Sequence, residues 1–143
     1  MGCLAGILLI GTIYIFGVVL FKKRKYGLYA AIIASLDTFR FAHTRMGTVD
    51  SHLVLFITIS LLFMYLFTDK NKIRYLFLSG LFFGLSISVK WTGMYCGLAL
   101  AIFYFTHLII NKKIKFDYII YGTIFFVFIP ILLYVSIYLK FNN

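Results

Sequence analysis

The chain contains no glutamate, and its entire acidic complement is four aspartates set against fourteen lysines and arginines. Charged residues make up only 13% of the sequence and hydrophobic ones 63%, with a mean hydropathy of +1.01, whereas soluble domains carry roughly 25% charge. That balance excludes a water-soluble globular domain. Strict alternation of apolar and polar residues is also missing. The apolar stretches run about 15 to 22 residues, which suits membrane helices and not the roughly 10-residue strands of a barrel. The fold class expected is therefore an all-α integral membrane protein with about six transmembrane helices.

Other shortages narrow the chemistry. Of the two cysteines, neither Cys3 nor Cys96 has a second thiol or a histidine at metal-ligand spacing, so both read as small apolar residues and not as a disulfide or a zinc site. No Gly-rich phosphate loop, metal triad or Ser-His-Asp order is present, which disfavours an enzyme acting on ATP or a nucleotide sugar and assigns no residue to a metal. The opening MGCLAGILLIGTIYIFGVVLF has no basic n-region and no small-residue cleavage site, so a cleaved signal peptide is not expected. With no repeat, low-complexity segment or Pro/Ser-rich linker, residues 1–143 read as one membrane domain.

The net charge of +10 follows membrane topology and gives no reason to expect nucleic acid, because the basic residues sit in short clusters between apolar spans. Spans are expected at about 2–21, 26–44, 49–67, 75–89, 94–110 and 118–139. The connections at 22–25, 70–74 and 112–115 hold ten of the fourteen basic residues, which places them on the cytoplasmic side. Both ends of the chain then face outward, and the whole is expected to be an interior piece of a longer polytopic protein. Gly80 with Gly84, and Gly93 with Gly97, form two G-x-x-x-G pairs that read as close helix packing.

The outward side holds the polar residues. Asp37, Arg40, His43, Arg45, Asp50 and His52 fall within sixteen residues. The second span reaches Asp37 after about eleven residues, or ~17 Å, short of the ~30 Å hydrocarbon core. The span at 75–89 is similarly short and sets Lys90 in or near the outer leaflet, with Trp91 beside it as an interfacial aromatic. Asp50 lies in the first turn of its helix, where the dipole favours a carboxylate and Thr48 can cap free amides. Asp37 and Arg40 can form a surface pair. Arg45 and Lys90 reach the same leaflet from different connections and together suit a lipid phosphate or pyrophosphate. His107, on an apolar helix near its inner end, reads as hydrogen-bonded structure, as do His43 and His52.

FAHTRMGTVDSHLVLF (Phe41 to Phe56) and LFLSGLFFGLSISVKWTGMYCGLALAIFYF (Leu76 to Phe105) resemble the protein O-mannosyltransferase family, especially its bacterial members. Those carry a similar Thr-Arg-x-x-Thr-x-Asp turn and a Gly-rich helix ending in Lys-Trp-Thr-Gly. The resemblance implies a GT-C-type glycosyltransferase in the bacterial cell membrane. Such an enzyme takes mannose or another sugar from a polyprenyl-phosphate carrier and passes it to Ser or Thr hydroxyls of a protein, or to a lipid acceptor. On this sequence it implies that Arg45 and Lys90 neutralise the leaving phosphate, that Asp50 orients Arg45, and that Asp37, Arg40, His43 and Trp91 support them. The family's catalytic Asp-Glu pair would lie just before Gly2, and the chain has no such pair. The general base is therefore expected outside these residues, in the rest of the polypeptide, and the piece alone is expected to be inactive. A transporter or flippase-like subunit binding an anionic substrate is the reading from another class. Inverted repeats and interrupted helices meeting at the midplane would mark it, and neither is visible.

Overall fold

The computed structural model describes residues 2–36, 49–110 and 116–142. Every regular element among them is helical: α1 (Gly2–Phe21), α2 (Arg24–Ser35), α3 (Val49–Lys70), α4 (Ile73–Val89), a 3₁₀ turn (Trp91–Gly93), α5 (Met94–Ile110), α6 (Phe116–Thr123), a π-helical turn (Ile124–Phe128) and α7 (Ile129–Asn142). Among the described residues four stretches are long and apolar enough to cross a membrane, namely Leu4–Phe21, Val49–Lys70, Trp91–Ile110 and Ile120–Leu139, while Ile73–Val89 is shorter. The short α4 measures 17 residues, or ~25 Å at 1.5 Å per residue. Of the span expected at 26–44, α2 supplies twelve residues, and the part from residue 37 to 44 lies outside the described residues.

The apolar surface faces outward. Only 11% of the Ile120–Leu139 window and 17% of Leu4–Phe21 is buried within the chain, and residues such as Ile7, Leu98 and Leu132 stand largely exposed. Helices apolar all round with so little of their surface buried belong in lipid, where their backbone groups are satisfied internally.

Contacts at the two ends give the helix directions. Lys22 Nζ at the end of α1 lies 3.7 Å from Asp69 Oδ1 at the end of α3, and His107 Nε2 near the end of α5 lies 3.0 Å from Asn71 Oδ1. The ends of α1, α3 and α5 thus gather where the basic connections are. Lys90 and Trp91, at the far end of α4, instead meet Asp50 at the start of α3 and Tyr134 in α7. So α1, α3 and α5 run one way, and α4 and α7 the other, in the alternating order that the charge pattern predicts.

Between lipid-facing helices no hydrophobic drive favours association, so close backbone approach and polar clasps decide the packing. In the α3–α4 hairpin the Ser60 hydroxyl donates to the Ser79 carbonyl at 2.9 Å, and the Ser79 hydroxyl donates back to the Ser60 carbonyl at 3.0 Å. Phe63 stacks between Tyr75 and Phe82 of α4. A cluster of Met64, Phe67, Leu76, Phe83, Leu100, Tyr104 and Leu108 joins α3, α4 and α5, and Ala5, Leu9 and Leu55 join α1 to α3.

Both glycine pairs act in packing. A Cβ at Gly80 would strike the Phe125 carbonyl, and one at Gly84 would come 3.0 Å from Pro130 Cα, so α4 lies against the last helix backbone to backbone. Gly93 packs on Ser86 and Gly97 on the Phe83 ring. Where the sequence predicts at most a kink at Pro130, the helix widens into the π-helical turn at Ile124–Phe128. Proline has no N–H to give the carbonyl four residues back, and a wider turn just before it accommodates that loss.

Candidate functional site

Asp50 and Lys90 lie forty residues apart in sequence and meet at the end opposite the basic connections, with Lys90 Nζ 2.9 Å from Asp50 Oδ1. The α3–α4 hairpin brings them together. Its turn follows Lys70, from which the two residues are equally distant, so an antiparallel pairing fixed by the Ser60–Ser79 clasp sets one opposite the other. Asp50 occupies the first turn of α3, where the helix dipole also favours its negative charge.

Lys90 closes α4 with an extended backbone, φ −158° and ψ 137°. Its N–H donates to the Ser86 carbonyl at 3.2 Å, and its own carbonyl accepts from the Gly93 N–H at 2.9 Å. The backbone is thereby pinned between α4 and the 3₁₀ turn, and the side chain is directed by Asp50. Both side chains stay partly open, at 48% for Lys90 and 41% for Asp50. An ammonium carries three hydrogens, so Lys90 keeps donors for an anion after Asp50 has taken one. Next to Asp50, the buried Ser51 hydroxyl has no hydrogen-bond partner among the described residues.

Trp91, the residue after Lys90, lines an apolar cavity of about 340 Å³ together with Ile87, Met94, Pro130 and Tyr134 among others, while Asp50 and Lys90 do not line it. The exposed Trp91 covers one side. Its Nε1–H donates to the Tyr134 hydroxyl at 3.2 Å, and the two rings meet edge to face with centroids 5.8 Å apart. A partly open cation one residue along the chain from the wall of an oily slot can take an amphiphile with an anionic head and a hydrocarbon tail.

Of the residues named from sequence, Asp50, Lys90 and Trp91 converge on this end. Asp37, Arg40, His43 and Arg45 lie outside the described residues, and with them the expected Asp50–Arg45 contact. His52 is half-buried on α3. His107 is buried at the opposite end against Asn71, its ring 5.2 Å from that of Phe67. Cys96 is a free thiol packed against the main core cluster, and the Cys3 side chain falls outside the described residues. Among the described residues no three His, Cys, Asp or Glu side chains gather to hold a metal.

Sequence reasoning missed two things here. One is the Asp50–Lys90 pair, whose signal was the equal spacing of both residues from Lys70. The other is Tyr134, a polar-tipped aromatic in an otherwise apolar run, four residues before Tyr138 on the same helix face.

Residues 1–134 match a family model described as dolichyl-phosphate-mannose-protein mannosyltransferase. Comparison with curated proteins and with solved structures gave no match.

Proposed function

The chain belongs to the dolichyl-phosphate-mannose-protein mannosyltransferase family, whose members are GT-C-type membrane glycosyltransferases, and from that premise we propose how its outer end serves the transfer. The donor is a polyprenyl-phosphate sugar, mannose or another hexose, and the acceptor a Ser or Thr hydroxyl of a protein, or a lipid hydroxyl. Lys90 binds the donor phosphate. Asp50 holds the Lys90 ammonium in place, and Arg45 supplies the second cation.

The observation that carries this reading is the Asp50–Lys90 ion pair, joined through the chain to Trp91, which lines the apolar cavity. As the bond between the anomeric carbon and the phosphate oxygen breaks, negative charge grows on that oxygen. A fixed cation at that place lowers the barrier more than a mobile one, because it needs no reorganisation while the charge develops. The first isoprene units fit the slot between α4 and α7, where Ile87, Pro130 and Trp91 offer only hydrocarbon and aromatic surface. We assign no general base to this chain.

The test is transfer of labelled mannose from a polyprenyl-phosphate carrier to a Ser/Thr peptide by the full-length protein. Lys90→Ala and Arg45→Ala should each lower the rate by about 10²–10³, the range typical of removing one group that stabilises developing negative charge. Undiminished transfer by Lys90→Ala would remove Lys90 from the site.

A further inference from the structure

The end opposite the Asp50–Lys90 pair carries a second charged feature that the transfer reaction does not use. We propose that the α1–α2 turn is a seat for the phosphate of an anionic phospholipid headgroup, formed by Lys23, Arg24 and Lys25 with the open amides at the start of α2.

The turn is built against ordinary electrostatics. A helix N-terminus carries about half a positive charge and favours acids, yet the first turn of α2 contains no acid and begins with Arg24 and Lys25. Lys23, the residue before the helix, is extended and makes no side-chain cap, so the first amides of α2 lack the partner a capping side chain would give. Lys22, directly after α1, turns the chain with φ 55°, the left-handed conformation that commonly ends a helix. The nearby carboxylate, Asp69, pairs with Lys22. Among the described residues none pairs with Lys23, Arg24 or Lys25. Three cations and a helix dipole therefore converge without a counter-charge among the described residues.

They surround space. A cavity of about 520 Å³ is lined by Lys23, Arg24, Lys25, Tyr26 and Tyr29. The tyrosines form an aromatic wall, with Tyr26 packed on Phe21 and Tyr29 at centroid distances of 5.3 and 6.5 Å, and Lys23 Nζ lies 5.9 Å from the Tyr26 ring. The apolar span Leu4–Phe21 ends directly at this turn, which sets the cavity at headgroup depth, where tyrosines with an apolar body and a polar tip belong. An arginine fork, two ammonium groups and free amides suit a phosphodiester, and the apolar approach along α1 suits its acyl chains.

The same device occurs a second time. In the α3–α4 turn Asn71 is left-handed at φ 52°, Lys72 is an extended N-cap with no side-chain cap, and Arg74 stands in an acid-free first turn. Lys70 Nζ lies 5.7 Å from the Tyr75 ring, and Tyr75, like Tyr26, is the third residue of its helix. Membrane topology alone asks for positive charge in these turns. The left-handed Lys22 and Asn71 directly follow α1 and α3 and end them; topology does not ask for an uncapped helix start and a tyrosine at the same position in both turns.

The experiment follows the thermal unfolding midpoint of the chain in neutral detergent during titration with short-chain phosphatidylglycerol, short-chain phosphatidylcholine or inorganic phosphate. Phosphatidylglycerol should raise the midpoint at a concentration on the order of tenfold or more below that needed for phosphatidylcholine, as basic residues at an anionic lipid surface lead one to expect, and inorganic phosphate should have little effect. The Arg24→Gln, Lys25→Gln double variant should lose this preference, and the charge-matched Lys112→Gln, Lys113→Gln variant should keep it. Equal responses of the unmodified chain to the two lipids would overturn the proposal, and that comparison needs no variant to fold. An inorganic phosphate response as strong as that to phosphatidylglycerol would replace the lipid with a free anion. Equal loss in both double variants would reduce the effect to diffuse charge.

Discussion

Among the described residues Lys90 is held by one carboxylate, that of Asp50, while nearly half its side chain stays open, and this combination suits a residue that must both be in place and accept a ligand. Exposed ion pairs contribute about 0–1 kcal/mol, so the Asp50–Lys90 contact matters little for stability. Asp50→Asn should therefore shift the unfolding free energy in detergent by no more than ~1 kcal/mol, while leaving Lys90 unanchored and weakening phosphate binding. A loss of stability several times larger would mean the pair is a structural staple. Ser51, buried next to Asp50 with no partner among the described residues, is a further polar group at this end that a bound headgroup could satisfy.

The α3–α4 hairpin is the element that turns sequence distance into a site. Its register rests on the reciprocal Ser60–Ser79 bonds and on Phe63 stacked between Tyr75 and Phe82. Interhelical hydrogen bonds in lipid average about 0.6 kcal/mol and reach about 1.7, so Ser60→Ala and Ser79→Ala should each destabilise by about that much. In a double-mutant cycle the effects should fall short of additive, because either change breaks the same clasp; strict additivity would show that the two serines act independently. On the other side of α4, Gly80→Val would push a side chain into the Phe125 backbone and should cost roughly 1–3 kcal/mol or more, read by unfolding. The helices themselves were legible in the sequence, since runs of apolar residues closed by Lys and Arg clusters leave few other readings. The contact across the hairpin was not, because a carboxylate in a first turn is already accounted for by the helix dipole, and only the register shows which cation it faces. The π-helical turn at Ile124–Phe128 was hidden for a similar reason, as one proline specifies a missing hydrogen bond but not how the helix absorbs it.

At the scale of the whole molecule, charge is divided between two ends of different build. One end gathers the basic turns, with two uncapped helix starts of the same build. The other holds the Asp50–Lys90 pair and the apolar slot under Trp91. With Cys3 and Cys96 replaced by alanine, a cysteine at Asn71 and one at Trp91 should be labelled by impermeant reagents from opposite sides of the membrane, with Trp91 on the outer side; labelling of both from one side would contradict the arrangement. The central claim is that the Asp50–Lys90 end seats the donor phosphate on Lys90, and direct binding measures it without requiring turnover. Equilibrium binding of a polyprenyl phosphate to the chain in neutral-lipid nanodiscs should weaken about tenfold or more on Lys90→Gln, as expected for loss of a charge-assisted contact of 1.5–3 kcal/mol. An unchanged affinity would contradict the account.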